Sequence, residues 1–286
     1  MMTKLMILGL AAGLCTNAFA LSATDLTPVR TVPHELDVLV KSGHIQGAAC
    51  SEEGVYLSHQ DGIEMVGWDG HLIRRVDAPA HLGDIAYADG RVYGAFCLRG
   101  EARRKYRSLG LIRVWNAKLE MLKEKTVNVN LDGAVVLDGT LYVGVDKWGR
   151  DLHDGCCVRM FDLDLNEKGE KTIDLGYKIA YGVQTMATDG KDLFFGNYGG
   201  ASRVSADLNE TSKIALGCAE GFGLVPKSVS KRETPVFFVV RALGGNMQGW
   251  RSDQTNNPPQ IELRFFDYGG GKFSVCPAGA GSRGRH

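Results

Sequence analysis

Apolar and polar residues alternate over short runs along most of this chain, and glycine-containing turns separate the runs. A period of two over four to eight residues is the pattern of a half-buried strand, and segments this short and this often broken by glycine make poor helices. Residues 81–96 show the unit. Ile85 and Tyr87 alternate with small residues, Asp89-Gly90 follows, and Val92, Tyr93 and Phe96 form a second apolar run. Asp-Gly readily takes the positive φ angles of a two-residue hairpin, so the segment predicts strand, turn, strand. The template recurs at 47–57 with Glu53-Gly54, at 133–143 with Asp138-Gly139 and at 185–195 with Asp189-Gly190; a fifth copy, 223–240, has a longer polar turn.

Behind each copy lies a third run ending at or near Asp or Asn (63–69, 111–116, 158–162, 203–207, 261–267) and then a fourth, partly polar one (72–76, 121–127, 171–175, 213–216, 272–275). Four short strands repeating every ~40–50 residues are the signature of propeller blades, where each sheet buries its faces against its neighbours around an axis. The expected fold class is therefore all-β: a β-propeller with five blades of four antiparallel strands. A six-bladed ring is the alternative, with residues 25–43 as a degenerate extra blade. The one stretch that reads as helix is 35–41, just after Pro33.

The chain ends look different. Lys4, an apolar run over 5–14 and Ala18-Phe19-Ala20 have the form of a secretory signal peptide cut after Ala20. Cys15 follows Leu14 rather than the small residue that a lipoprotein site would place there. The expected organisation is a signal peptide over 1–20, a single propeller domain over 21–277 and a disordered tail over 278–286, in a secreted or periplasmic protein with no transmembrane segment.

Charge and cysteine content narrow the partners. Lysine plus arginine equals aspartate plus glutamate, 33 each, so no overall field steers the chain toward nucleic acid or an anionic membrane. Beyond Cys15 there are six cysteines, an even number that suggests disulfides in an exported chain. Strand phase favours a bridge from Cys97 to Cys156 or Cys157, while Cys50 reads equally well as a buried thiol. No C-x-x-C occurs, so zinc spacing is absent.

In a propeller the loops before each first strand and between second and third strands share one rim. The second-to-third connections at 98–110, 147–155, 197–200 and 242–259 are the long ones, and insertions gathered on one face usually mark a binding face. Residues entering the first strands are polar: His44, His81, Asn130 and Tyr181 form one column, with Gln46, Asp84, Asp132, Gln184 and Glu220 just inside. Amides, imidazoles and carboxylates converging on a channel suit a polar ligand or a divalent cation such as calcium; a solvated channel of mutually satisfied groups is the bland alternative. His44, His81, Asp84 and Glu220 are the catalytic candidates.

Rim loops add three more sets. Arg99, Arg103, Arg104, Lys105 and Arg107 are placed to hold a carboxylate, sulfate or phosphate. Asp146, Asp151, His153 and Asp154 are candidate metal ligands, although they lack the alternating acids of a calcium loop. Trp148 and Trp250, the latter beside Asn246, Gln248, Asn256 and Asn257, offer indole faces and amides of the kind that hold sugar rings.

His44-Ile45-Gln46-Gly47 resembles the aromatic-Thr-Gln-Gly opening of the first blade in five-bladed glutaminyl cyclotransferases, and the repeat as a whole resembles regucalcin- and gluconolactonase-like and quinoprotein-like propellers. The resemblance implies the fold. After Tyr56 the chain reads Leu57-Ser58-His59-Gln60 where the cyclotransferases have Glu-Ser-Thr-Gly, so no catalytic residue carries over. The leading functional expectation is an exported propeller that binds a polar small molecule or glycan at its axial mouth. The alternatives are an enzyme at the same mouth, of lactonase, hydrolase, lyase or cyclotransferase type, and a protein-interaction scaffold.

Overall fold

The structure is a computed structural model that describes residues 30–32, 45–68, 70–79, 81–147, 149–218, 220–243 and 260–275, with backbone alone for 30–32, 241–243, 260–262 and 275. The expected helix at 35–41, the signal peptide and the C-terminal tail lie outside the described residues.

Five antiparallel sheets follow one another along the chain. After β1 (Arg30–Val32), blade one holds β2 (Ile45–Cys50), β3 (Gly54–His59), β4 (Gly62–Gly67) and β5 (Leu72–Asp77). Blade two holds β6 (Leu82–Ala88), β7 (Arg91–Cys97), β8 (Gly110–Asn116) and β9 (Met121–Val127), with a short helix, α1 (Gly100–Tyr106), between β7 and β8. Blade three holds β10 (Asn130–Leu137), β11 (Thr140–Asp146), β12 (His153–Asp162) and β13 (Glu167–Ile179). Blade four holds β14 (Thr185–Thr188), β15 (Asp192–Asn197), β16 (Gly200–Ser205) and β17 (Thr211–Ile214). Blade five holds β18 (Phe222–Val225), α2 (Lys227–Ser230), β19 (Val236–Leu243), β20 (Gln260–Gly269) and β21 (Lys272–Val275).

The Asp-Gly hairpins form as expected where both turn residues take positive φ: Asp89 at 50° with Gly90 at 72°, and Asp138 at 48° with Gly139 at 67°. In blade one the turn sits one residue earlier, on Glu52-Glu53. Ser51 N–H donates to the Gly54 carbonyl at 2.8 Å, and Gly54 already belongs to β3. The polar third-to-fourth-strand connections share a second device. Asn116 and Asp162 each accept two backbone N–H groups through Oδ1, and Leu119, Leu165 and Leu208 take φ of 62°, 68° and 62° in equivalent turns. A leucine at positive φ costs about 1–2 kcal/mol. Each of these side chains is buried in the layer facing the preceding blade, which offsets that cost.

Apolar layers fill all five gaps between neighbouring blades. Tyr56 and Trp115 lie between blades one and two, Tyr93 and Val143 between two and three, Ile173 and Phe195 between three and four, Phe194 and Phe237 between four and five, and Leu57 and Phe238 between one and five. That last layer closes the ring. Closure is reinforced at the edge of blade five, where β20 pairs with two separate strands: β1 covers Ile261 to Leu263 and β21 covers Phe266 to Gly269. Residues 30–32 thus complete the fifth blade, and the six-bladed alternative is set aside.

One carboxylate holds the axis. Asp84, wholly inaccessible to solvent, protrudes where the β6–β7 register shifts between Leu82 and Ile85. Its Oδ1 accepts the backbone N–H of Ala48 in blade one at 3.2 Å; Oδ2 accepts those of Ala134 in blade three at 3.1 Å and Met186 in blade four at 2.8 Å. Burial pushes the carboxyl well above its usual range, while the backbone donors of Met186, Ala134, Ile85 and Ala48 pull the other way. The approach requires glycine at position 47, because a Cβ there would lie 2.1 Å from Asp84 Oδ1.

Candidate ligand site at the axial mouth

Close to Asp84, polar side chains from connections on one rim of the propeller, those before first strands and those between second and third strands, come within reach of one another. Asp132 enters from the register shift between Leu131 and Ala134, which takes it out of the β10–β11 ladder. Gly83 permits this position, since a Cβ there would meet the Asp132 carbonyl at 2.9 Å. Asp146 ends β11 opposite Asn130 and accepts the Gly149 N–H at 2.7 Å. Arg99, the residue before α1, is within electrostatic reach of both acids and within hydrogen-bonding reach of the Cys97 thiol at the end of β7. Gln184 is within hydrogen-bonding reach of Asp132 and donates through Nε2 to the Tyr181 carbonyl at 3.0 Å. Tyr181 and Tyr198 meet edge to face, with ring centroids 5.8 Å apart, and the Tyr198 side chain is also within electrostatic range of Asp132 and Glu220.

The electrostatics are unusual in one respect. Asp132 is only 8% exposed, and burial together with the charge of Asp146 raises its pKa to about 8, against the opposing influence of Arg99 and the Gln184 hydrogen bond. Near neutral pH the site therefore offers a carboxyl able to give or take a proton. Burial lowers the pKa of Arg99, yet the Cys97 hydrogen bond and the Asp132 and Asp146 charges outweigh it and hold the guanidinium more firmly protonated. Burial, then Asp132, Glu220 and Tyr181, push the Tyr198 phenol upward, so it stays a neutral hydrogen-bonding group. A carboxyl, a guanidinium, an amide and two phenols around one opening can hydrogen-bond a ligand rich in hydroxyl, amide or carboxylate groups.

The expected site residues fall into several groups. Asp132, Gln184, Tyr181 and Asp146 come within reach of one another or of Arg99 and Tyr198, Asn130 stands opposite Asp146 in the β10–β11 ladder, and Glu220 is within electrostatic range of Tyr198. Asp84 is in the channel, fully occupied as the axial pin. Gln46 is buried in β2, and His81 is half-buried just before β6, its carbonyl accepting the Cys97 N–H at 3.0 Å. His44, Trp148, Trp250 and the amides at 246–257 lie outside the described residues. Arg103 and Arg104 are exposed on α1, turned to a separate hollow rather than the mouth.

Among the described residues no three His, Cys, Asp or Glu side chains come together in a way that would hold a metal ion. Asp151 and Asp154 are exposed, while His153 Nδ1 is bonded to the Gly155 carbonyl. The described cysteines are all free thiols, in contrast to the expected Cys97 bridge. Cys156 and Cys157, being adjacent in a strand, face opposite sides of blade three, toward blades four and two respectively, while Cys97 is engaged with Arg99. Cys50 is a thiol whose Sγ donates to the Leu224 carbonyl at 2.9 Å.

Sequence reasoning missed Tyr198 and the inward turn of Arg99. Arg99 could have been separated from the other cations, because it directly follows a second strand. Among the described residues no helix is long and apolar enough to cross a membrane.

No protein-family model matches the chain, and no curated protein is similar to it in sequence. Solved structures similar to it include a protein of unknown function from Bacteroides caccae, at 14% identity over 81% of this chain and 80% of that one, with a TM-score of 0.47. The Pan2 WD40 domain of Neurospora crassa is 10% identical over 68% of this chain and 58% of that one, with a TM-score of 0.42. The dihydro-heme d1 dehydrogenase NirN is 12% identical over 81% of this chain and 46% of that one, with a TM-score of 0.38. This chain therefore spans little more than half the length of the Pan2 domain and less than half that of NirN.

Proposed function

We propose that this propeller is an exported binding protein that takes a polar small molecule or glycan at the axial mouth. The observation that supports the reading is the grouping of Asp132, Asp146, Arg99, Gln184, Tyr181 and Tyr198, contributed by blades two, three and four, around one opening. Asp132 and Gln184 are buried and partnered, so the centre of the group needs little ordering on binding, while Tyr198 at 52% exposure is open to a ligand. Export rests on the form of residues 1–20, and N-terminal sequencing of secreted or periplasmic material should give Leu21 as the first residue.

The test is a calorimetric screen of mono- and oligosaccharides, sugar acids and small polar metabolites against the wild type and the variants Arg99→Ala, Asp132→Asn and Tyr198→Ala. A ligand whose affinity drops about tenfold or more in each variant supports the reading; ligands that bind all four proteins equally would sink it. A second reading, catalysis, is favoured by the Asp132 carboxyl poised near neutrality beside Asp146, the arrangement of a general acid–base pair. Asp132→Asn separates the two, because an enzyme would keep the ligand and lose turnover, whereas a binding protein has no turnover to lose.

A further inference from the structure

We infer that the hollow beside α1 is a second site, built for an organic molecule bearing a phosphate or sulfate group. It shares none of its lining residues with the axial mouth and does not depend on it. Its lining is Gly100, Arg103, Arg104, Arg107, Ser108, Leu109 and Asn128, around a cavity of ≈ 500 Å³. Three arginines are among its lining residues and no acid is. Among the described residues none of the three is in an ion pair, although Arg74, Arg113, Arg159, Arg203 and Arg232 each hold a carboxylate.

The hollow is held in place from behind. Ala102 and Tyr106 of α1 pack on the apolar layer between blades one and two, and Arg113 Nη2 donates to the Tyr106 hydroxyl at 2.8 Å while also holding Glu124 at 2.7 Å. Ser108 is buried and donates to the Val127 carbonyl at 2.7 Å, which ties the end of the helical segment to the turn carrying Asn128. Arg107 takes the left-handed conformation, φ 50° and ψ 38°, immediately after α1. A non-glycine residue there carries a strain of about 1–2 kcal/mol. The consequence is an exposed arginine at the bend, lining the same cavity as Arg103 and Arg104 from the helix.

The chemistry selects the ligand. A carboxylate brings one negative charge and two oxygens, and one guanidinium satisfies it. Three arginines with a neutral surround match a tetrahedral dianion with three or more acceptor oxygens, for which planar forked donors are suited. The volume sets the size: ≈ 500 Å³ falls within the ~300–1,000 Å³ of small-molecule sites, far more than a bare oxyanion fills. Leu109 and Asn128 remain to meet the organic body.

The full chain is titrated calorimetrically with inorganic phosphate, inorganic sulfate, glucose 6-phosphate, a sulfated disaccharide and, as neutral control, glucose, at low and at physiological salt. We expect glucose 6-phosphate or the sulfated sugar to bind, more tightly than the inorganic ions, with affinity falling as salt rises. Arg103→Ala, Arg104→Ala and Arg107→Ala should each weaken it about tenfold. A control removing three exposed lysines elsewhere, Lys118, Lys191 and Lys231, should leave it unchanged. The arginines are exposed, so all variants should keep the wild-type melting temperature. The proposal is overturned if neither ester binds, if the arginine variants bind as well as the wild type, or if the lysine control loses affinity equally. Inorganic ions binding as tightly as the esters would overturn the organic part and leave a free-oxyanion site. Asp132→Asn is included as a readout for the mouth: its ester affinity should be unchanged, which separates failure of this site from failure of the other.

Discussion

Two buried carboxylates in neighbouring blades, Asp84 and Asp132, have opposite occupations. Asp84 is spent on backbone: replacing it by alanine strands the N–H groups of Ala48, Ala134 and Met186 away from water, at ~1–3 kcal/mol each. Chemical denaturation of Asp84→Ala should therefore show a loss of more than about 4 kcal/mol, or no folded protein, with Asp84→Asn between it and the wild type because one acceptor oxygen remains. Asp132 is turned to the mouth, and replacing it should have the reverse effect on stability above neutral pH. Its folded pKa of about 8 stands above the ordinary 3.8, so the folded state prefers the protonated form. Stability is full below about pH 4 and is lost as pH rises toward 8. Asp132→Asn should accordingly match the wild type in thermal melts near pH 4 and exceed it by ~2–5 kcal/mol at pH 9, at ~1.36 kcal/mol per unit. The sequence placed both acids in one polar channel, but it could not separate them. The distinction comes from register shifts of a single residue and from neighbours in other blades.

Strands and hairpins were the legible elements. Alternation located all five inner hairpins, Asp-Gly marking the turns of three of them, and β9 and β21 have the expected bounds, 121–127 and 272–275. What escaped were α1, a seven-residue polar helix with no side-chain cap, and the four-residue α2, which no periodicity marks. The cysteine pairing failed for a related reason: spacing brings strands together but does not say which face a side chain takes. The leucine turns are an element-scale device with a measurable worth. Leu165→Ala should destabilise by about 2–4 kcal/mol in urea unfolding, since its buried side chain is lost from the layer between blades two and three. Leu165→Gly should lie close to it, the relief of positive φ offset by the freer unfolded chain.

At the scale of the ring, five interchangeable sheets are made into one body by Asp84 at the centre and by the shared edge of blade five at the circumference. Deleting residues 30–32 would bare the backbone of β20 at Ile261 to Leu263. We expect a lower melting temperature together with concentration-dependent self-association in light scattering, because an unpaired strand edge recruits another. A variant that stays monomeric at the wild-type melting temperature would show the latch to be dispensable.

That shared edge also fixes an order of events. Blades one to four pair strands that are close in the chain, so each can assemble without waiting for the rest. Arg30 must wait for Leu263. Until then the partner-facing surfaces of blades one and four stand open, and the nascent protein passes through a long interval as an incomplete arc whose survival depends on being shielded from its neighbours.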